Sequence, residues 1–329
     1  MRILFTIVAC VASMSASASP SQATPTPTVV SNTKPRLDAA GAIIDIHDGN
    51  TLLVNGTYYW YGASYGGCEE QVTGCHSGAV GECGFQLNHT VSLATSKDLV
   101  TWDVHGVVLP TGNRPPGVLF SPWVAVSPVD GTFVLWTNVL PVVGGHADFE
   151  ASVYTVATSR TPFGPFTTVN ANVTGLHYQE LPDAPSIFVD DDGTGYVAYT
   201  HERTHINTIE VLEPDLTRPA TGAAANSSAV IGDPNNEGIA MFKRDGLYYV
   251  VFGTCCCFCA AGTGVKVYTA TEPLGPYTFR GQCVGDGGWG VRAQTGSVFF
   301  TGADWVLAGD RWQSAPDHVK AHDFTYVTP

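Results

Sequence analysis

Positive charge is what this chain has least of: 15 Lys plus Arg stand against 29 Asp plus Glu, a formal net charge of −14 over 329 residues. The basic residues form no cluster, which argues against a nucleic-acid or anionic-membrane partner. A neutral polymer is compatible with such a surface. Long apolar runs are scarce as well, and the stretch from Ile3 to Val11 is too short to span a bilayer. With Arg2 before it and Ala16-Ser17-Ala18 after it, that stretch reads as a secretory signal over residues 1–18. Residues 19–36, rich in Pro, Thr and Ser, read as a flexible or glycosylated leader. No long stretch of helical period occurs. Instead 36 glycines and 21 prolines punctuate aromatic and β-branched runs, which favours an all-β chain.

Removing Cys10 with the signal leaves eight cysteines, Cys68, Cys75, Cys83, Cys255, Cys256, Cys257, Cys259 and Cys283. An even number in an oxidising compartment points to disulfides. No paired Cys/His spacing completes a zinc site around the crowded Cys255–Cys259 segment. Bridges between that segment and the Cys68–Cys83 loop are expected, with connectivity open. Four sequons, at Asn55, Asn88, Asn172 and Asn226, mark candidate glycosylated turns.

Five segments repeat one pattern, a turn glycine followed by a strand-type run, beginning at Gly56, Gly131, Gly193, Gly246 and Gly302. Each reads as the second strand of a hairpin whose first strand begins near Asp48, Ser121, Asp183, Glu237 or Gln294. A third strand and a turn-rich fourth follow, the fourth being read at Leu99–Trp102, Pro162–Phe166, Leu216 and Pro273–Tyr277. Four antiparallel strands repeated radially make a β-propeller, which leaves few open sheet edges. The expectation is a single five-bladed β-propeller over residues 37–329. Only Gln313 to Pro329 remain for its last blade, with Phe324–Val327 as one candidate strand, so either that blade closes economically or it is incomplete.

Asp48, Asp183 and Glu237 fall at equivalent places in units one, three and four and would converge on the channel. Three carboxyls in one channel repel, and repulsion splits their pKa values into the protonated and ionised forms that glycosidic hydrolysis needs. Asp130, Asp190–Asp192 and Asp245 are turn residues by contrast.

His47-Asp48-Gly49 leading to Gly56-Thr57-Tyr58-Tyr59, then Asp183-Ala184-Pro185-Ser186 running to Gly193, then Glu237-Gly238 running to Tyr248-Tyr249, and last Gly309-Asp310-Arg311-Trp312, together resemble glycoside hydrolase family 43. The resemblance runs from about Ile43 to Trp312. It implies a five-bladed propeller that cleaves arabinose-, xylose- or galactose-containing glycans with inversion. Asp48 would then be the general base, Glu237 the general acid and Asp183 the residue that orients Glu237 and tunes its pKa. Asp45 competes with Asp48, but Asp48, ten positions before Tyr58, has the family's usual spacing.

Further candidates for substrate contact are His47, Trp123, Gln294 and Arg311, with Arg292 behind them. Trp60, Trp136, Trp289 and Trp312 are either core or sugar-stacking residues. Gln294 stands where many relatives have an ion-holding histidine, so no cofactor is required and a channel Ca²⁺ is not expected. Gln294 also resembles the branch that trims β-1,3-galactan, yet that branch has His-Gly-Gly where this chain has His47-Asp48-Gly49. The expectation is a secreted, monomeric, exo-acting arabinofuranosidase-like enzyme on wall polysaccharide or oligosaccharide. An exo-β-1,3-galactanase-like enzyme, an inactive glycan-binding propeller and a disulfide-linked structural wall protein are the alternatives.

Overall fold

The computed structural model of the protein describes residues 35–66, 78–82, 84–174, 182–254, 258, 262–283 and 293–312, together with the backbone of 324–327. The signal, nearly all of the leader and seven of the eight candidate disulfide cysteines lie outside these residues. Cys283 ends a strand, and its side chain is outside the description.

Among the described residues helix is limited to three short 3-10 turns, and strands carry the fold. The first sheet holds β1 (His47–Val54), β2 (Thr57–Ser64), β3 (Thr90–Ser96) and β4 (Asp103–Leu109) in chain order. The second holds β5 (Val118–Val126), β6 (Phe133–Leu140), β9 (Val153–Ser159) and β10 (Thr167–Asn170). Between β6 and β9 it carries a small ribbon of β7 (Val142–Val143) and β8 (His146–Ala147). The third comprises β11 (Pro182–Val189), β12 (Gly195–His201) and β13 (Asn207–Val211). The fourth comprises β14 (Asn236–Arg244), β15 (Leu247–Thr254), β16 (Val265–Ala270) and β17 (Thr278–Cys283). The last comprises β18 (Gln294–Phe300), β19 (Trp305–Asp310) and β20 (Phe324–Val327).

First strands touch in sequence, β1 on β5, β5 on β11, β11 on β14 and β14 on β18, and β18 returns to β1. This is a β-propeller arrangement. Its cores lie between sheets: Trp60 and Trp102 pack with Phe299 and Val306, whereas Trp136, Tyr154 and Val197 pack with Ala240 and Val251. Burial peaks in the second strands: every residue of β6 and β12 is buried, the first strands β1 and β11 mix buried with half-buried positions, and β4 and β10 are more exposed. Asn50 clasps the first two sheets, donating to the Val124 carbonyl and accepting from the Val124 N–H, both at 2.9 Å.

All five turn glycines named from sequence adopt positive φ, from 69° at Gly56 to 94° at Gly302, as tight hairpin turns require. The fourth strands sit elsewhere than expected. Leu99–Thr101 is a bend and Trp102 bridges to Asp38, while Pro162–Phe166 and Pro273–Tyr277 turn because proline has no N–H to give a ladder; the fourth strands follow these segments. In the third sheet, isolated bridges from Asn207, Glu210 and Leu212 to Ile231, Ser227 and Pro219 stand along the outer edge in place of a fourth strand. All four sequon asparagines are exposed.

Candidate active site

Each first strand carries an extra residue where it enters its sheet. The pairing shifts between His47 and Asn50, Phe120 and Trp123, Pro182 and Pro185, Glu237 and Ala240, and Thr295 and Ser297. Such bulges break the ladder and re-aim side chains. The residues inside them, Asp48, Ser121, Asp183, Gly238 and Gly296, all line one cavity on the axis.

This register corrects the sequence alignment of the acids. Gly238, and not Glu237, matches Asp48 and Asp183; Glu237 stands one residue earlier, at the place of His47 and Pro182. The reason is steric: at φ 69° a Cβ on Gly238 would lie 2.2 Å from the Thr295 carbonyl oxygen. The carboxyl is therefore carried by the neighbouring residue, and it still reaches the cavity. At Asp48 the chain is also left-handed (φ 56°), which aspartate tolerates.

Asp48, half-buried, sits against a network. Tyr65 Oη donates to its Oδ2, and its own N–H donates to Asp310 Oδ2 at 2.9 Å. Burial first, then the charge of Asp310, raise its pKa well above the usual carboxylate range, against the Tyr65 hydrogen bond and His47. His47 does not line the cavity. It lies behind Asp48 at 1% exposure, with Nε2 3.0 Å from Asp45 Oδ1 and Nδ1 3.6 Å from Asp310 Oδ1. Asp45, the competing base, is turned away into this support. It accepts the N–H groups of Tyr65 and Gly66 at 3.1 and 2.8 Å, and although burial works against its charge, His47 and these donors hold its pKa low.

Across the cavity Glu237, 7% exposed, accepts at Oε1 from Gln294 Nε2 at 3.1 Å. Gln294 Oε1 accepts the Phe258 N–H at 3.0 Å and the Trp312 indole N–H at 2.6 Å. Two N–H groups at one end of the amide make that end the oxygen, so the NH₂ must face Glu237. An amide used this way offers donors, and not a ligand oxygen, to a cation in the channel. Gln294 therefore does not fit an ion at this point.

Asp183 shares the cavity with a carboxyl the sequence reading overlooked, Glu202, which follows β12. Burial pushes the pKa of Asp183 up, opposed by hydrogen bonds from the Ala184 N–H and the Asn138 side chain and by His205. Glu202 is pushed up to about 9, by burial and then by the charges of Asp183, Glu237 and Glu150. Its segment is held at both ends: the His205 N–H donates to the His201 carbonyl at 2.8 Å, and the His205 carbonyl accepts from Asn236 N–H at 2.9 Å.

Aromatic rings complete the wall, among them Phe120, Trp123, Phe149, Phe258 and Trp312. The Trp123 indole N–H donates to the Ile187 carbonyl at 3.0 Å, so its ring offers the cavity an apolar face. Arg311 lies outside the cavity lining, between Asp310 and Trp312, which belong to it. Trp60 and Trp136 are core, and Trp289 and Arg292 lie outside the described residues.

The model of glycosyl hydrolases family 43 matches residues 42–282, from just before β1 to the end of β17. The chain belongs to glycosyl hydrolases family 43.

Family 43 relatives carry different activities. An arabinoxylan arabinofuranohydrolase of Bacillus subtilis is 24% identical over 280 residues, covering 73% of this chain and 50% of the relative. One from Paenibacillus polymyxa is 25% identical over 238 residues, covering 62% and 35%. The chain thus spans half or less of these curated relatives. Among solved structures, an exo-β-1,3-galactanase from Clostridium thermocellum superposes with a TM-score of 0.70 at 22% identity, over 91% of this chain and 62% of that one. The exo-β-1,3-galactanase from Phanerochaete chrysosporium with galactose gives 0.69 at 22%, over 91% and 64%. These likenesses concern the fold.

Of the residues gathered around this cavity, the sequence reading named Asp48, Asp183, Glu237 and Gln294, all on first strands. It missed Tyr65, Asn138 and Glu202, which come from second strands or the turns after them. It quoted Asp310 only as part of a motif. A charged run, His201-Glu202-Arg203, directly after a fully buried strand was the available signal for Glu202.

Proposed function

We propose that this chain is an inverting, exo-acting glycoside hydrolase built on five blades, removing a neutral terminal sugar from wall polysaccharide outside the cell. What carries the reading is that Asp48 and Glu237, from separate sheets, line one aromatic-walled cavity. Five sheets whose first strands touch in cyclic order support the blade count.

Asp48 takes a proton from water as the water oxygen bonds to the anomeric carbon. Glu237 passes its proton to the glycosidic oxygen as the bond to the leaving sugar breaks. The donor from Gln294 engages Oε1 of Glu237, which assigns the transferable proton to Oε2. The charge of Asp183 in the same cavity favours the protonated form of Glu237.

Asp48, an ordinary base, favours an arabinofuranosidase-type substrate. Gln294 beside the acid favours a β-1,3-galactan end as the second reading. Hydrolysis of arabinofuranosides, xylosides, galactosides, arabinan and β-1,3-galactan by the wild type and the Glu237→Gln variant decides between them. One sugar should be released, and the variant should be slower by about 10²–10⁴-fold on unactivated glycans. Glycan binding without turnover would make the protein a lectin.

A further inference from the structure

Asp310, 2% exposed at the end of β19, bridges the general-base candidate and the histidine behind it through its two carboxylate oxygens. Its Oδ2 accepts the Asp48 N–H at 2.9 Å and its Oδ1 stands 3.6 Å from His47 Nδ1. The other nitrogen of His47 lies 3.0 Å from Asp45. An imidazole with a carboxylate at each nitrogen keeps both protons, so His47 is a buried cation between Asp45 and Asp310. Burial opposes that charge, yet Asp310 and Asp45 push its pKa up to about 9.

Resting on the glycosidase reading above, we propose that Asp310 is a positioning residue for Asp48. It fixes the left-handed turn of the chain at Asp48 through that residue's N–H, and together with His47 it sets how strongly the Asp48 carboxylate draws a proton from water.

The two neighbours act in opposite senses. A carboxylate at Asp310 makes a second negative charge on Asp48 less favourable and so strengthens Asp48 as a base; the imidazolium of His47 does the reverse. The remaining titratable groups around Asp48 among the described residues are Asp45 from the approach to β1, Tyr65 after β2 with His89 against its ring and, across the cavity, Asp183, Glu202, His205 and Glu237. Asp48 is held by Asp310 and Glu237 by Gln294, so a change at Asp310 acts on the base and leaves the acid's hydrogen bond in place.

The test is the pH dependence of kcat/KM on an activated aryl glycoside for the wild type, Asp310→Asn and His47→Gln. Asparagine can still accept the Asp48 N–H, so it removes the charge while keeping the bond. The acidic limb should move to lower pH in Asp310→Asn and to higher pH in His47→Gln, each by on the order of one unit. A role in folding alone would lower the plateau and the melting temperature without moving the limbs apart. Should His47→Gln fail to fold, Asp45→Asn weakens the same cation from its far side and should also move the limb upward. Limbs that stay put, or move together, in an active enzyme would overturn the inference and leave the glycosidase reading standing. A wild type with no turnover on any glycoside would overturn both.

Discussion

Burial first, then the charges of Asp183, Glu237 and Glu150, push the pKa of Glu202 up to about 9, which favours its protonated form near neutrality. A protonated carboxyl and a carboxamide have the same shape and nearly the same hydrogen-bonding capacity. Glu202→Gln should therefore keep kcat/KM near neutrality within about threefold, whereas Glu202→Ala, losing one hydrogen-bonding group, should drop it by roughly tenfold. Equal losses in both variants would show that Glu202 works ionised. The sequence could name Asp48 and Glu237 because each precedes an apolar strand. It could not name Asp310 or Glu202 as their neighbours, because those contacts join positions far apart in the chain and depend on how the sheets close. Gly49 shows the same limit: a Cβ there would lie 1.8 Å from the Tyr61 carbonyl oxygen, a crowding that only the folded hairpin creates.

At the level of the strand, the bulges do most to build the cavity. They turn the first residues of β1, β5, β11, β14 and β18 toward the axis, and the rest of each strand then alternates between neighbouring cores. The hairpins themselves were legible, since a turn glycine before an aromatic run has few other uses. The bulges were not, and aligning the repeats by their carboxyls misplaced Glu237 by one residue. The fourth strands were misread for a related reason: Gly-Pro-aromatic segments look regular in sequence, but they serve as turns. Asn50, just past the first bulge, ties β1 to β5 through two bonds to Val124. Asn50→Ala would leave a buried N–H and a buried carbonyl without partners, at a cost of about 2–4 kcal/mol in unfolding free energy. Chemical denaturation measures this directly, and a loss below about 1 kcal/mol would mean that water replaces the clasp.

For the molecule as a whole, the buried titrating groups couple stability to pH. His47 has a folded pKa of about 9 against an ordinary 6.5, so its contribution is complete below pH 6.5 and is lost as pH rises through 9. Glu202 works in the same direction, because the folded state keeps a proton, up to about pH 9, that the unfolded chain releases above about 4.5. The melting temperature should fall between pH 6.5 and 9, and the fall should be shallower in His47→Gln. A flat profile across that window would mean that neither group is held as described. The propeller class could be read from repetition alone; these couplings could not, because they depend on burial.

Gln294 and Asp310 are cross-strand partners in the β18–β19 ladder. One grips the carboxyl read as the acid and the other the carboxyl read as the base. A single rung of one hairpin is therefore a mechanical linkage between the two halves of the reaction. A slip of one residue along that ladder would turn both side chains to the opposite face. Acid and base would then lose their supports in the same event, so a slip of this rung, unlike a substitution at one of its two residues, should abolish turnover outright.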